Sequence, residues 1–365
     1  MAESYGWVGK ILMVDLTTGA ISTVATSNYV PKFIGGRALA AKLYWDEVPP
    51  SCGALDPENR LIFASGVTSG ILGPGQRTAV VTKSPYTVPE CYEYSVMGGH
   101  WSSELKFAGF DAVVVRGKAK EPVYIWINDG KVEILKAERL WGLTTSETDA
   151  QIRQAWGDKT RALVIGPAGE NLVRTAVILE GSHATGLGGF GAVMGSKNLK
   201  AIAVRGTGAV KIARPKDLLG VYDQYVKIGG KYGGPYIISS PSYYVNHQLS
   251  AINQYAPADR KVTLTEDLDT TFNEDSLWAK SLFHSEEVKA GMMRRKFEGC
   301  FACPACCGMA VRTLDPTGKE AAPFNLNPPM AVFQQCVEIQ TQTGWEAPQF
   351  AGKLVGRANV LEVSS

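Results

Sequence analysis

No stretch of this sequence approaches the roughly 20 consecutive apolar residues that a membrane-crossing helix needs, so no membrane span is predicted. An excess of one charge is lacking too: 37 Lys and Arg stand against 35 Asp and Glu, for a formal net charge of +2. No basic run exceeds residues 294–296, so nothing here predicts a nucleic-acid partner. Nor is a secretory leader predicted, because residues 1–7 are polar and aromatic. Cysteines without an export signal predict a reducing, cytoplasmic setting. Absent as well are two separated C-x2-C pairs, the usual form of a structural zinc site.

What is present is a knot of cysteines. Residues 299–308 read G-C-F-A-C-P-A-C-C-G and hold four of the seven, Cys300, Cys303, Cys306 and Cys307. Two spacings are available, C-x2-C-x2-C or C-x2-C-x3-C, according to whether Cys306 or Cys307 is the third ligand. Thiolates two or three residues apart on a tight turn can occupy three corners of one cluster or metal. Bridging neighbours as disulfides would strain them. Three close cysteines with a distant fourth favour a [4Fe–4S] cluster over zinc. Cys336 is one candidate for the fourth, although its setting reads equally well as a packed helix face. Cys52 and Cys91 have no metal-spaced neighbours.

At 365 residues the chain has room for two domains. The first, residues 1–208, reads as short strands punctuated by glycine: 10–15, 20–24, 61–65, 77–83, 111–116, a hairpin 123–128/131–135 through Asp129-Gly130, then 161–165, 173–179 and 201–205. Apolar residues at helical spacing predict helices over 30–48, 100–108 and 145–156, with a turn or short helix over 194–200. Strands and helices alternate without a regular βαβ period, so the fold class is α+β. The second domain, residues 209–365, reads as mostly helical, over 215–232 and 275–296, around a polar loop region at 233–268. Residues 351–365 read as a helix and its exit with no closing element. That pattern suits a chain cut within a domain or a naturally short subunit.

Among candidate binding residues, 186–191 (G-L-G-G-F-G) match G-x-G-x-x-G. No acidic residue follows about 20 positions on, so a dinucleotide site is disfavoured. The loop suits either a phosphate held by backbone N–H groups or tight packing alone. Gly98-Gly99-His100, ahead of a helix, could admit a ligand. Arg77 could clamp an anion, and His183 could donate to a phosphate, as readily as serve as a strand-end cation and a turn cap.

Several segments together resemble the aldehyde ferredoxin oxidoreductase family. They are G-P-A-G-E-N-L-V at 166–173, G-G-F-G-A-V-M-G-S-K-N-L-K-A-I-A-V at 188–204, V-V-T-K-S-P at 80–85, E-L-K-F-A-G-F-D at 104–111, and Cys300-x2-Cys303-x3-Cys307. The resemblance runs along essentially the whole chain, which is similar to the amino-terminal part of longer proteins, and it selects Cys307 over Cys306. It implies an amino-terminal α+β domain with an internal duplication that covers a tungsten or molybdenum bis-pyranopterin, followed by a helical domain. It also implies a [4Fe–4S] cluster on Cys300, Cys303 and Cys307, with the fourth cysteine beyond Ser365, and a magnesium ion bridging the pterin phosphates. On the family pattern Arg77, Gly98, His183, Ala184 and Gly186 fall at pterin-binding positions. Val96 stands where Asn is usual, and His183 and Leu187 replace two arginines.

The implied reaction is oxidation of an aldehyde to a carboxylic acid. Electrons would leave through the cluster to ferredoxin or an Fe–S partner subunit, in a homodimer or hetero-oligomer. The departures from pattern point to a divergent branch, such as a benzoyl-CoA reductase-type catalytic subunit acting on an acyl substrate. From other classes, the chain could be a non-catalytic Fe–S subunit of a split enzyme, or a zinc-stabilised binding module.

Overall fold

In the computed structural model, residues 5–181, 183–231, 293–303, 308–313 and 324–325 are described. The chain divides into two compact units. One runs to Leu219 and takes in Cys300–Cys303.

The first unit carries twelve strands in two sheets. Strands β1 (Lys10–Asp15), β2 (Ala20–Ala25), β3 (Leu61–Ser65), β4 (Thr78–Ser84), β5 (Cys91–Met97) and β6 (Ala112–Arg116) form one sheet, in the order β2-β1-β6-β3-β4-β5. Strands β7 (Val123–Asn128), β8 (Lys131–Lys136), β9 (Arg161–Val164), β10 (Leu179–Glu180), β11 (His183–Ala184) and β12 (Leu199–Arg205) form the other, in the order β11-β10-β9-β12-β7-β8. Adding six to every strand number of the first sheet reproduces the second, read from its other edge. Even the parallel pairs correspond, β1 with β6 and β7 with β12. The helices follow suit: α1 (Gly36–Glu47) and α3 (Thr145–Trp156) precede the third strand of each set, and α2 (Trp101–Phe107) and α5 (Phe190–Ser196) precede the sixth. The short α4 (Pro167–Glu170) has no counterpart. The chain therefore contains an internal duplication.

Local chemistry explains the elements. The β1–β2 turn is held by Asp15 Oδ1, which accepts from the Thr17 and Thr18 amides. The β7–β8 turn uses Asp129 and Gly130, both at positive φ. Helix α3 starts on a capping box in which Thr144 and Glu147 satisfy each other's backbone amides. Strands β3 and β12 are buried almost throughout, as strands covered on both faces must be. Alternation divides the β1 side chains: Leu12 and Val14 enter a core shared with β7, β12, α2 and α5, while Ile11 enters a second core with Leu39 and Leu43 of α1. Trp126, Ala201 and Ala203 pack on the α3 side in the same way. Helices α2 and α5 thus share the core between the two sheets, and α1 and α3 cover the outer faces.

Buried lysines brace the unit, one of them across the two repeats. Lys197, fully buried at the end of α5, donates to the carbonyls of Asn59 (2.6 Å), Pro57 and Gly117 (both 3.3 Å) in the first repeat. Burial pushes its pKa down to about 7. Lys106 pairs with Asp111, and Lys200 with Glu170.

The structure corrects four sequence expectations. Helix α1 begins at Gly36 rather than at residue 30, because Gly35, at φ 148°, redirects the chain. Strand β5 went unpredicted; its outward residues Tyr92, Tyr94 and Val96 stay exposed at a sheet edge. Of residues 173–179 only Leu179 is in a strand. Met293–Glu298, which overlaps the helix expected over 275–296, is a strand (β13) paired antiparallel with β14 (Gly308–Thr313), itself paired with β15 (Phe324–Asn325). Helix α6 spans Pro215–Lys231. The polar region 233–268, residues 275–292 and the expected closing helix at 351–365 lie outside the described residues. No described helix is long and apolar enough to cross a membrane.

Candidate functional site

The site is built around the turn between β5 and α2. Gly98 and Gly99 are buried there, and Gly99 adopts φ 108°, a conformation that a side chain resists. Space excludes side chains as firmly. A Cβ on Gly98 would lie 2.8 Å from His183 Cδ2, 3.0 Å from Cys300 Sγ and 3.2 Å from Arg77 Nη1. One atom position thus touches three candidates that lie far apart in the chain.

Each arrives for a local reason. Arg77 immediately precedes β4, whose first residue Thr78 pairs with Met97 at the end of β5, so Arg77 lies beside Gly98. The loop before it is drawn together by Gln76, whose Nε2 lies 2.9–3.0 Å from the carbonyls of Thr68, Ile71 and Gly73. His183 opens β11 and pairs with Glu180 of β10. Cys300 sits on a tight turn in which the Cys303 amide donates to the Cys300 carbonyl, with Ala302 at φ 47°. That turn is docked by three backbone contacts: Phe301 N–H to Gly99 O (3.3 Å), Gly73 N–H to Ala302 O (3.2 Å) and Gly99 N–H to Cys300 Sγ (3.4 Å). The Phe301 ring lies edge-on to Phe107, with centroids 5.3 Å apart.

The remaining candidates occupy the equivalent place in the second repeat, between β11 and α5. Ala184 and Gly186 are exposed there, as is Leu187 at 48%. Arg77 is exposed as well. This loop is stitched to the first repeat, because the Gly186 amide donates to Ser95 Oγ (2.7 Å) and Ser84 Oγ donates to the Gly188 carbonyl (2.8 Å). The Gly191 amide donates to Ala176 O. Two N–H groups of the G-x-G-x-x-G loop are therefore used within the protein. Gly189, left-handed at φ 64°, is needed for packing, since a Cβ there would lie 2.6 Å from the Arg174 carbonyl.

Sequence reasoning missed Glu180. Its carboxylate is 5% exposed and accepts from the amides of His100 (2.9 and 3.0 Å) and Trp101 (3.0 Å). Burial pushes its pKa up to about 7, opposed by those two amides. The available signal was a carboxylate ending the apolar run Ala176–Leu179. Two buried hydroxyls near Arg77, Ser69 Oγ and Thr78 Oγ1, have no hydrogen-bond partner among the described residues. Cys52 is buried and Cys91 exposed, its sulfur 3.2 Å from Thr87 Oγ1. Cys306, Cys307 and Cys336 lie outside the described residues. Among the described residues no three His, Cys, Asp or Glu side chains gather as a metal site.

The residues present fit an anionic cofactor beside a thiolate-ligated cluster. The Gly98 cradle admits close approach, Arg77 supplies a cation, and a backbone N–H already reaches the Cys300 sulfur.

Comparison with known proteins identifies the family. The family model described as "Aldehyde ferredoxin oxidoreductase, N-terminal domain" matches residues 11–206. A tungsten-containing aldehyde ferredoxin oxidoreductase of Pyrococcus furiosus is 39% identical over 326 residues, 87% of this chain and 51% of that protein. The chain thus spans about half the length of such curated relatives. An aliphatic sulfonate oxidoreductase WOR-like subunit from the same organism is 38% identical over 235 residues, covering 60% of this chain and 37% of that one. Among solved structures, the active-site complex BamBC of benzoyl coenzyme A reductase with 1,5-dienoyl-CoA superposes with a TM-score of 0.74. It shows 28% identity and covers 98% of this chain and 53% of that chain.

Proposed function

The chain belongs to the aldehyde ferredoxin oxidoreductase family, and from that premise we propose that it forms the pterin-covering base and part of the cluster site of a tungsten- or molybdenum-dependent oxidoreductase. The observation that supports this best is the meeting of Arg77, His183 and Cys300 at Gly98. The two turns that precede α2 and α5, one in each repeat, would each receive one pyranopterin, with Arg77, Gly98, His183, Ala184 and Gly186 lining them. The duplication then has a physical reason: two like ligands are met by two like turns. Arg77 offers a guanidinium suited to a phosphate or pterin oxygen, and a magnesium ion would accompany the phosphates. Cys300 and Cys303, with Cys307 and a fourth ligand, would hold the [4Fe–4S] cluster.

When bound, the metal–pterin group would supply the two-electron chemistry that converts an aldehyde and water to a carboxylic acid, two electrons and two protons. This chain's residues would hold and orient the group and keep the cluster beside it, so that electrons leave singly to ferredoxin or a partner subunit. Further ligands and the substrate-facing groups would come from other residues. Cytoplasmic residence belongs to the same proposal.

A second reading is favoured by the benzoyl coenzyme A reductase neighbour. His183 and Leu187, where the family pattern has arginines, remove two fixed cations from the second turn, which suits a branch with a different substrate. The test is anaerobic purification of the full chain with metal and sulfide analysis. About four iron and four sulfide per chain, with about one tungsten or molybdenum, would show that this chain by itself holds both groups. Iron and sulfide without the heavy metal would assign the chain to a split enzyme, whereas zinc without sulfide would refute the proposal. Aldehydes assayed against aromatic acyl-CoA thioesters separate the two readings.

A further inference from the structure

We infer that Glu180 is a positioning residue for the cluster: from the second repeat, it orients the Gly99–His100 turn of the first so that this turn holds the Cys300 loop and donates a hydrogen bond to its sulfur. The inference rests on the proposed reading of Cys300 as a cluster ligand.

The argument follows from peptide geometry. In a trans peptide the N–H and C=O point in opposite directions. The Gly99–His100 peptide presents its N–H to the Glu180 carboxylate, at 2.9 and 3.0 Å, and its carbonyl to the Phe301 amide at 3.3 Å. Glu180, by fixing one end of the plane, aims the other at the cysteine loop. One residue earlier, the Gly99 amide reaches Cys300 Sγ at 3.4 Å. Gly99, at φ 108°, is the pivot between the two, and lacking a Cβ it is otherwise free to rotate. The carboxylate blocks that rotation by packing flush against the glycine, since a Cβ on Gly99 would lie 2.0 Å from Glu180 Oε2. Hydrogen bonds to cluster sulfurs are among the factors that set reduction potential, and an N–H donor favours the thiolate and the reduced, more negative cluster.

The test compares the full wild-type chain with Glu180→Ala and Glu180→Gln, prepared anaerobically, by two readouts. The first is the cluster midpoint potential from redox-titrated electron paramagnetic resonance. The second, on the metal-free chain, is the alkylation rate of Cys300 at fixed pH by peptide mapping, with exposed Cys91 as the internal reference. Loss of the N–H···S bond in the Ala variant should shift the reduced-to-oxidised ratio about tenfold toward oxidised, a fall of about 59 mV for one electron. It should also slow Cys300 alkylation several-fold. The Gln oxygen still accepts from His100 and Trp101, so Glu180→Gln should keep both values near wild type. An Ala variant with unchanged potential and unchanged or faster alkylation overturns the inference, since mere loosening of the turn would expose Cys300 and speed its reaction. If wild type binds zinc without sulfide, the cluster reading fails, and if it binds neither, the cluster needs ligands from outside this chain; in both cases the alkylation arm still decides whether Glu180 positions the turn. If the Ala variant does not fold, Glu180→Asp, whose carboxylate is withdrawn by one methylene, replaces it with the same expected directions.

Discussion

Glu180 also carries a stability consequence whose sign can be worked out. Burial raises its folded pKa from 4.5 to about 7, with Arg161 the nearby opposing cation and Asp149 the nearby like charge. The folded state therefore binds this proton more tightly than the unfolded state does. The associated stability is complete below pH 4.5 and is lost as pH rises through about 7. Between pH 5 and pH 8 the unfolded chain is already largely ionised at this group, while the folded chain resists, which lowers stability by about 2 to 3 kcal/mol from this one group. Lys197 and Lys106, whose pKa values burial pushes down to about 7 and about 8, act in the opposite sense as pH rises. The informative quantity is therefore the difference between wild type and Glu180→Gln, because the lysine contributions cancel in it. Urea unfolding at pH 5, 6, 7 and 8, followed by tryptophan fluorescence, should show the Gln variant gaining on wild type by about 2 to 3 kcal/mol over that range. A difference that does not change with pH would refute the assignment of a buried, titrating carboxylate at position 180.

Three further outcomes are expected. Gly98→Val should lower bound iron and sulfide at least several-fold, with the far-ultraviolet circular dichroism kept, because the atoms it displaces belong to the side chains of His183, Cys300 and Arg77 rather than to the core. Lys197→Met should destabilise the protein by about 3 kcal/mol in urea unfolding, since two buried carbonyls and one partly buried carbonyl lose their donor at once. Thr144→Ala, which removes one half of the α3 capping box, should cost about 1 kcal/mol by the same measurement.

How much was legible in the sequence varies with how local the cause is. β1 and β3 carry their own pattern of alternation or continuous burial, and α3 carries its cap, so all three were placed at their observed bounds. The two-residue strands β10 and β11 have no sequence pattern; they exist because Leu179 and Glu180 pair with Ala184 and His183. Residues 173–178 are apolar enough to read as a strand. Yet they form a loop whose Ala176 and Ile178 carbonyls accept from Gly191 and Thr185. Composition reports burial there, but not which backbone groups meet.

The site divides along the same line. Residue types and spacing alone singled out the cysteines, Arg77, the Gly98 turn and the residues around Gly186, because thiolates, a guanidinium and paired glycines each have few uses. That Arg77, His183 and Cys300 meet at one glycine, and that Glu180 steers the turn between them, was decided by tertiary structure. The duplication folds two repeats about one shared core, so the turn of one repeat is braced by a strand of the other. A contact of that kind, over separations of 80 and 201 residues, leaves no trace in local pattern.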